Sequence, residues 1–349
     1  MTKVLLTGGS GFIAAHILEQ LLAKGHSVVT TVRTEDKAAK IREAYADKAA
    51  AGELQTVVVP DIARPDAFDD VVKIPGIEVV LHTASPFHFK ITDPKKDLVD
   101  PAVIGTTGIL KAIARSAPAV RRVVVTSSFA AILDEPKISD PTTVFSEASW
   151  NPVTIDDIHR SSATAYRASK TLAERAAWAF VAAPPADSVA KFDLVTVNPP
   201  MVFGPVAHHL ASLDGLNTSN ERFLDLLRGK WKAGGVPSTG AAMIWVDVRD
   251  VAAAHVRAGL ELPAAGGKRL FTTAGSYSNA AIVDIVRRNF PADAAILPSD
   301  DQLGPGKLPP ADQRFKVDNA ATTELLGIDW IPFEKTVVDT IKSLKEHGA

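Results

Sequence analysis

The sequence predicts an α/β chain: a doubly wound parallel sheet with a smaller, mostly helical lobe toward the C-terminus. Three observations carry this. Short valine- and leucine-rich runs without polar alternation read as strands buried on both faces, as in "SVVTTV" (Ser27–Val32) and "RRVVVTSS" (Arg121–Ser128). Longer segments with helical apolar spacing separate these runs, the alternation that covers a parallel sheet on both sides. The first run turns at once into a helix across a stretch with three glycines, Gly8, Gly9 and Gly11.

The elements follow in order. Val4–Thr7 is a strand, and Phe12–Ala23 is a helix with apolar residues at Ile13, Ile17, Leu18, Leu21 and Leu22. Ser27–Val32 is the second strand and Glu35–Ala51, rich in Ala and Lys, the second helix. Leu54–Pro60 and Ile77–Ala84 are strands, Leu98–Ala114 a helix, and Arg121–Ser128 a strand. Ala163–Val181 is a long helix and Phe192–Pro200 another strand. Beyond Pro200 the alternation breaks. Val206–Asn217 reads as a loop, Ser219–Gly229 as a short helix, and Ala241–Leu260 as a strand running into a helix. Lys268–Thr273 is a last buried strand, Pro291–Pro310 a surface loop, and Asn319–Leu326 and Phe333–Lys345 are helices. Residues 1–200, with 241–275 returning to them, form the main domain; 201–240 and 276–349 form the second lobe.

Composition narrows the function. The 349 residues are 46% hydrophobic and 22% charged, with a formal net charge of −2 and mixed signs, which argues against a nucleic-acid partner. Cysteine is absent, which excludes disulfides, thiolate metal sites and a cysteine nucleophile. No run reaches the roughly 18 apolar residues of a membrane span, and the start of the chain lacks a signal-peptide pattern. The expectation is a cytoplasmic protein with no membrane partner. His208-His209 lacks the spacing of a metal site, so no metal is expected.

The glycine turn is Gly8-Gly9-Ser10-Gly11-Phe12-Ile13-Ala14. A buried strand entering a helix there points unsatisfied N–H groups and the positive helix end at one spot, where anions bind. Gly8 makes the tight turn, Gly11 opens the helix beside a pyrophosphate, and Ala14 packs close to the strand. Gly8, Ser10, Gly11, Phe12 and Ile13 are thus candidates to bind a dinucleotide, and a Rossmann-type domain follows. A ligand-free glycine turn is the plain alternative. At the end of the second strand stand Arg33 and Lys37, which suit a ribose 2′-phosphate and favour NADP(H) over NAD. Glu35 and Asp36 lie beside them, and an ordinary solvated face is the other reading. Asp61 and Ile62 can edge the adenine, or Asp61 can cap a short helix.

Tyr166-x-x-x-Lys170 puts a phenol and an ammonium on one helix face. A nearby cation is expected to pull the tyrosine pKa down and make the phenol a proton donor near neutral pH. Thr126-Ser127-Ser128 ends a buried strand at the edge where ligands bind in such sheets. A hydroxyl there can stabilise a developing oxyanion, or simply cap a turn.

In that order, Gly8-x-x-Gly11-x-x-Ala14, Thr126-Ser127-Ser128 and Tyr166-x-x-x-Lys170 resemble the extended short-chain dehydrogenase/reductase family. "LHTASPFHFKITDPKKDLVDPAV" (Leu81–Val103), "FSEASWNP" (Phe145–Pro152), "VNPPMVFGP" (Val197–Pro205), "LNTSNE" (Leu216–Glu221) and "WVDVRDVAAAH" (Trp245–His255) are similar to fungal methylglyoxal/aldehyde-type carbonyl reductases, with dihydroflavonol reductases more distant. The resemblance implies NADPH-dependent reduction of aldehydes and ketones to chiral alcohols. It implies Ser128 and Tyr166 as catalytic hydroxyls, with Lys170 on the nicotinamide ribose. It implies Thr83, Ala84, Ser85 and Thr126 near the ribose and nicotinamide, and Asn198, Pro199 and Val202 beside the ring. Phe87, Phe129 and Met201, with Ser128 and Tyr166, are candidate substrate contacts; Val202 and Trp231 are further wall candidates. Phe129 and Met201 stand where relatives often carry tyrosine, and Gly9-Ser10 where many carry Ala-Asn. The expected partner is a small carbonyl substrate, the expected state a monomer or homodimer. The alternatives are a sugar-nucleotide epimerase or dehydratase of the same family, a steroid-type dehydrogenase and a non-catalytic NADP-sensing regulator.

Overall fold

The computed structural model describes residues 1–85, 91–207, 213–241 and 243–349. Its strands, numbered along the chain, are β1 (Lys3–Thr7), β2 (Ser27–Val32), β3 (Leu54–Val58), β4 (Ile77–His82), β5 (Arg122–Thr126), β6 (Val144–Phe145) and β7 (Asp193–Val197). There follow β8 (Met201–Phe203), β9 (Ile244–Asp247), β10 (Arg269–Leu270), β11 (Gly275–Ser276) and β12 (Lys316–Val317). The helices used below are α1 (Phe12–Ala23), α2 (Glu35–Ala44), α3 (Ala46–Ala50), α4 (Asp100–Ser116), α5 (Ser162–Ala182) and α6 (Thr218–Leu227). They continue with α7 (Lys230–Gly234), α8 (Val248–Val256), α9 (Asn279–Asn289), α10 (Ala320–Leu326) and α11 (Phe333–Glu346).

Seven strands form one sheet in the order β10-β7-β5-β4-β1-β2-β3, every pair parallel. β1 shows why its sequence carries no polar alternation. Val4 and Leu6 pack into a core with Ile17 and Leu21 of α1 and Val251 of α8. Leu5 points the other way, into a core with Ile109 and Ile113 of α4 and Ala177 of α5. Both faces are covered by helices, so both must be apolar. The parallel register places Thr7 beside His82 and Thr126 beside Val197, so the carboxyl ends of β1, β4, β5 and β7 share one edge.

The second lobe has its own core, with Phe203, Phe223, Trp245, Tyr277, Val283 and Ile341 at its centre. It is mostly helical, as expected, and carries a small sheet besides. β11, β9 and β8 form a three-stranded sheet there, with β9 parallel to β8 and antiparallel to β11. The returning segment therefore divides: β10 joins the main sheet, α8 joins the core under α1, and β9 stays with the lobe. Trp231, expected as a substrate wall, is 4% exposed and belongs to the lobe core. The helix expected over Glu35–Ala51 is broken at Tyr45, whose backbone leaves the helical region and whose ring packs on the main core.

Candidate active site

The glycine turn is shaped by close approach. Gly8 has φ +75°, and a Cβ there would lie 3.0 Å from the Ala84 Cα. A Cβ on Gly9 would lie 2.1 Å from the Thr30 Oγ1. Gly11 sits at the N-cap of α1 with no side chain to cap it, so first-turn N–H groups remain available at the turn. The groove above has Gly8, Ser10 and Gly11 on one side and Thr83, Ala84 and Ser85 on the other. Arg33, Lys37, Asp61 and Ile62 line it further along. Thus residues singled out from four separate segments border one groove. Phe12 and Ile13 are not among the residues that line it; their side chains pack against the main core.

The charges at the far end are sorted by pairing. Glu35 bonds Arg42 at 2.5 Å and Asp36 pairs with Lys40 at 3.0 Å. Among the described residues, Arg33 and Lys37 have no carboxylate partner, and both are exposed. Asp61 accepts the Ala63 N–H at 2.9 Å, so it caps the turn that follows while its residue borders the groove.

Beyond Ser85 lies the second constellation. Lys170 Nζ donates to Ser85 Oγ at 2.8 Å, which ties α5 to the end of β4. Ser128 begins the turn after β5, where its Oγ accepts the Ala130 N–H at 3.1 Å. That hydroxyl is also hydrogen-bonded to the Tyr166 phenol. Tyr166 is held above the usual tyrosine range because burial disfavours the phenolate, with the Ser128 bond pulling the other way. This reverses the expectation from sequence. Lys170 Nζ is 6.0 Å from the ring centroid, and burial lowers its own pKa to about 8, so desolvation decides the phenol's state. Tyr166 is a neutral O–H donor at pH 7.

The strand end is held from behind by a residue the sequence reading missed. Glu174, one turn past Lys170 on α5, is fully buried and accepts from Ser127 Oγ at 2.5 Å and Asn198 Nδ2 at 2.7 Å. Asn198 Nδ2 also reaches the Ser128 carbonyl at 3.3 Å. Arg269 of β10 closes the network, with Nε donating to Glu174 at 2.6 Å and its guanidinium 3.8 Å from the Trp150 ring centre. The helical spacing Tyr166, Lys170, Glu174 was a signal that could have found it.

A cavity of about 430 Å³ opens beside Ser128 and Tyr166, walled by Ile91, Leu98, Leu133 and Met201. Phe129 borders it but is 2% exposed, stacked on Phe271 and edge-on to Phe145, so it serves the core as much as the wall. Phe87 and His208-His209 lie outside the described residues. Val202, expected beside the nicotinamide, is seated in the main core opposite Val246, while the Pro199 carbonyl accepts the Phe129 N–H at 2.9 Å. Thr126 shares a small cavity with Ser85 and Lys170, and its Oγ1 lies 2.7 Å from His255 Nε2. Among the described residues no cluster could hold a metal ion, and no helix is long and apolar enough to cross a membrane.

Comparison with known proteins agrees with this architecture. The model of the NAD dependent epimerase/dehydratase family matches residues 4–271. A ketoreductase of Aspergillus niger, azaE, is 45% identical over 99% of this chain and 98% of its own. A putative NADPH-dependent methylglyoxal reductase of Candida albicans, GRP2, is 39% identical over 98% of each. The crystal structure of Gre2 from Candida albicans in complex with NADPH superposes with a TM-score of 0.90 at 34% identity, covering 100% of both chains. The resemblance read from the motifs therefore holds along the whole chain, and this protein belongs to the NAD dependent epimerase/dehydratase family.

Proposed function

We propose that this chain is an NADPH-dependent carbonyl reductase that converts aldehydes and ketones to alcohols. The observation that carries the reading is the hydrogen-bonded pair of Ser128 and neutral Tyr166 at a cavity wall, joined through Lys170 and Ser85 to the glycine-turn groove. The residues of that groove fit a dinucleotide phosphate. Gly11 leaves the first-turn N–H groups of α1 uncapped, and Arg33 and Lys37 offer two cations without carboxylate partners among the described residues. The turn takes the pyrophosphate, and Arg33 with Lys37 the 2′-phosphate. When bound, NADPH supplies the hydride.

The chain's own residues do the rest. Ser128 and Tyr166 donate hydrogen bonds to the substrate carbonyl oxygen, where negative charge develops. Tyr166 gives its proton to that oxygen. Lys170 holds the ribose and offsets the charge left on the phenol. Ser127 and Asn198, gripped by Glu174, fix the backbone that carries Ser128. Residues 1–200 with 241–275 bind the dinucleotide and form most of the substrate cavity, which Met201, Thr218 and Ser219 of the second lobe complete. The chain acts in the cytoplasm, as a monomer or homodimer, on a small carbonyl compound.

A sugar-nucleotide epimerase would need cations for a diphosphate on the substrate side. Among the described residues that line the cavity Arg167 is the single cation, and Arg222 of the lobe is taken up by Tyr277 and Asn279 at 2.7 and 3.0 Å, which favours the reductase. Tyr166→Phe tests the assignment. It is expected to lower kcat by roughly 10² to 10⁴ with NADPH affinity within about threefold. Normal turnover by Tyr166→Phe removes the proton donor from this scheme.

A further inference from the structure

We propose that the cavity beside Ser128 and Tyr166 selects carbonyl compounds that carry a carboxylate, and that Arg167 holds that group. The proposal rests on the reductase reading and names the substrate class of the same site.

The cavity wall is otherwise uncharged. Ile91, Leu98, Phe129, Leu133 and Met201 make it apolar, and among its described lining residues Arg167 alone carries a formal charge. Arg167 follows Tyr166 on α5, so the two side chains leave the helix about 100° apart and both border the cavity. Its side chain is only 14% exposed. An arginine placed in an apolar wall pays for desolvation that leucine or methionine would avoid.

Its protein partner does not use up its donors. Glu135, in the short turn Glu135–Lys137, forms an ion pair with Arg167 Nη1. That nitrogen is buried, and its contact with Glu135 lacks hydrogen-bond alignment. Glu135 itself is 51% exposed, so water competes for its carboxylate. A guanidinium has five N–H donors in a flat fork, and one carboxylate takes two at most. The unused edge suits a second carboxylate, approached through a cavity whose mostly apolar walls strengthen the attraction. The reaction then balances simply. The ketone carbon gains hydride from NADPH, its oxygen gains the Tyr166 proton, and NADPH leaves as NADP⁺. The carboxylate is unchanged, and solvent restores the proton on Tyr166.

The test uses 4-methyl-2-oxopentanoate and 4-oxo-4-phenylbutanoate, each against its methyl ester, with NADPH oxidation followed at 340 nm. The wild-type protein is expected to favour at least one acid over its ester by roughly tenfold or more in kcat/KM. Arg167→Met is expected to cost that acid roughly ten- to a hundredfold, mainly in KM, while the ester changes by less than about threefold. Glu135→Gln releases the guanidinium and is expected to lower KM for the acid. As a readout without turnover, 4-phenylbutanoate is expected to raise the wild-type Tm and to leave that of Arg167→Met unmoved. Esters reduced as well as both acids, or equal losses for acid and ester in Arg167→Met, overturn the carboxylate site and leave the reductase reading standing. No NADPH oxidation with acids, esters or simple aldehydes removes the reductase reading and this proposal with it.

Discussion

Replacing Glu174 with alanine tests whether the buried network behind Ser128 holds the fold together. The carboxylate is 0% exposed and Arg269 is 9% exposed, so neither charge is served by bulk water. Five donors converge on it: Ser127 Oγ at 2.5 Å, Arg269 Nε at 2.6 Å, Asn198 Nδ2 at 2.7 Å, Thr196 Oγ1 at 3.1 Å and Trp178 Nε1 at 3.2 Å. Removing one partner of a buried pair costs about 3–5 kcal/mol, because the other charge is left uncompensated. Arg269 would keep the Glu147 and Ser149 carbonyls and the Trp150 face, which softens its loss. The orphaned hydroxyls and amide add to it. An overall loss of about 4 kcal/mol follows, read as a lower urea midpoint. Glu174→Gln keeps the volume and separates charge from packing. A double-mutant cycle with Arg269→Met should return a coupling of at least about 1.5 kcal/mol. Additive effects, or a loss below about 1 kcal/mol, would show that the pair is bystander chemistry. Because Asn198 also grips the Ser128 carbonyl, Glu174→Gln should lower kcat more than it raises KM.

The other predictions are simpler. Gly9→Ala places a methyl 2.1 Å from Thr30 Oγ1, so it should destabilise by about 1–3 kcal/mol and weaken NADPH binding; Thr30→Ala in the same chain should recover part of the loss, and an unchanged Tm would contradict the packing argument. Arg33→Ala should raise the NADPH Kd roughly ten- to a hundredfold and leave NADH nearly unaffected in a fluorescence titration, whereas equal changes would mean that Arg33 does not meet the 2′-phosphate. Burial holds His82 at about 3 and His255 at about 4, below the 6.5 of the unfolded chain, so the unfolded state binds the extra protons as pH falls from 6.5 toward 4. Asp250, raised to about 6 by burial, opposes this with one proton below pH 6, while burial also lowers His16 and His26, so the net loss is at least about one proton's worth, near 1.4 kcal/mol per pH unit. Urea midpoints that stayed flat or rose on acidification would refute that balance.

The long apolar strands were legible because burial on both faces removes the ambiguity of alternation, as β1 shows with Val4 and Leu6 on one side and Leu5 on the other. The two- and three-residue strands β6, β8, β11 and β12 were not. A run such as Gly275–Ser276 has no periodicity of its own and exists only because Ile244 and Trp245 pair with it. In the site, the spacing of Tyr166 and Lys170 placed them on one helix. It could not say that Lys170 would turn to Ser85 or that burial would outweigh its charge on the phenol. Phe129 misled in another way. Its position after a strand end pointed to the cavity, but three aromatic rings from distant segments, Phe145, Phe271 and Phe315, take most of its surface. The sequence carried position along the chain well, and competition among partners hardly at all.

Arg269 shows what that competition does for the site. The glycine turn and the groove are built from segments within the first third of the chain. The serine and tyrosine hydroxyls meet through a different set of constraints. α5 is fixed against the ends of β5 and β7 by Glu174, and Glu174 is matched by a guanidinium 95 residues further on, in the two-residue strand β10. The same guanidinium reaches the Glu147 and Ser149 carbonyls and the Trp150 ring, tying the segment after β6 to α5. The return of the chain to the sheet therefore supplies the counter-charge that lets a carboxylate be buried behind the reacting hydroxyls. The turn that cradles phosphate is local, whereas the geometry of the donor pair depends on chain closure.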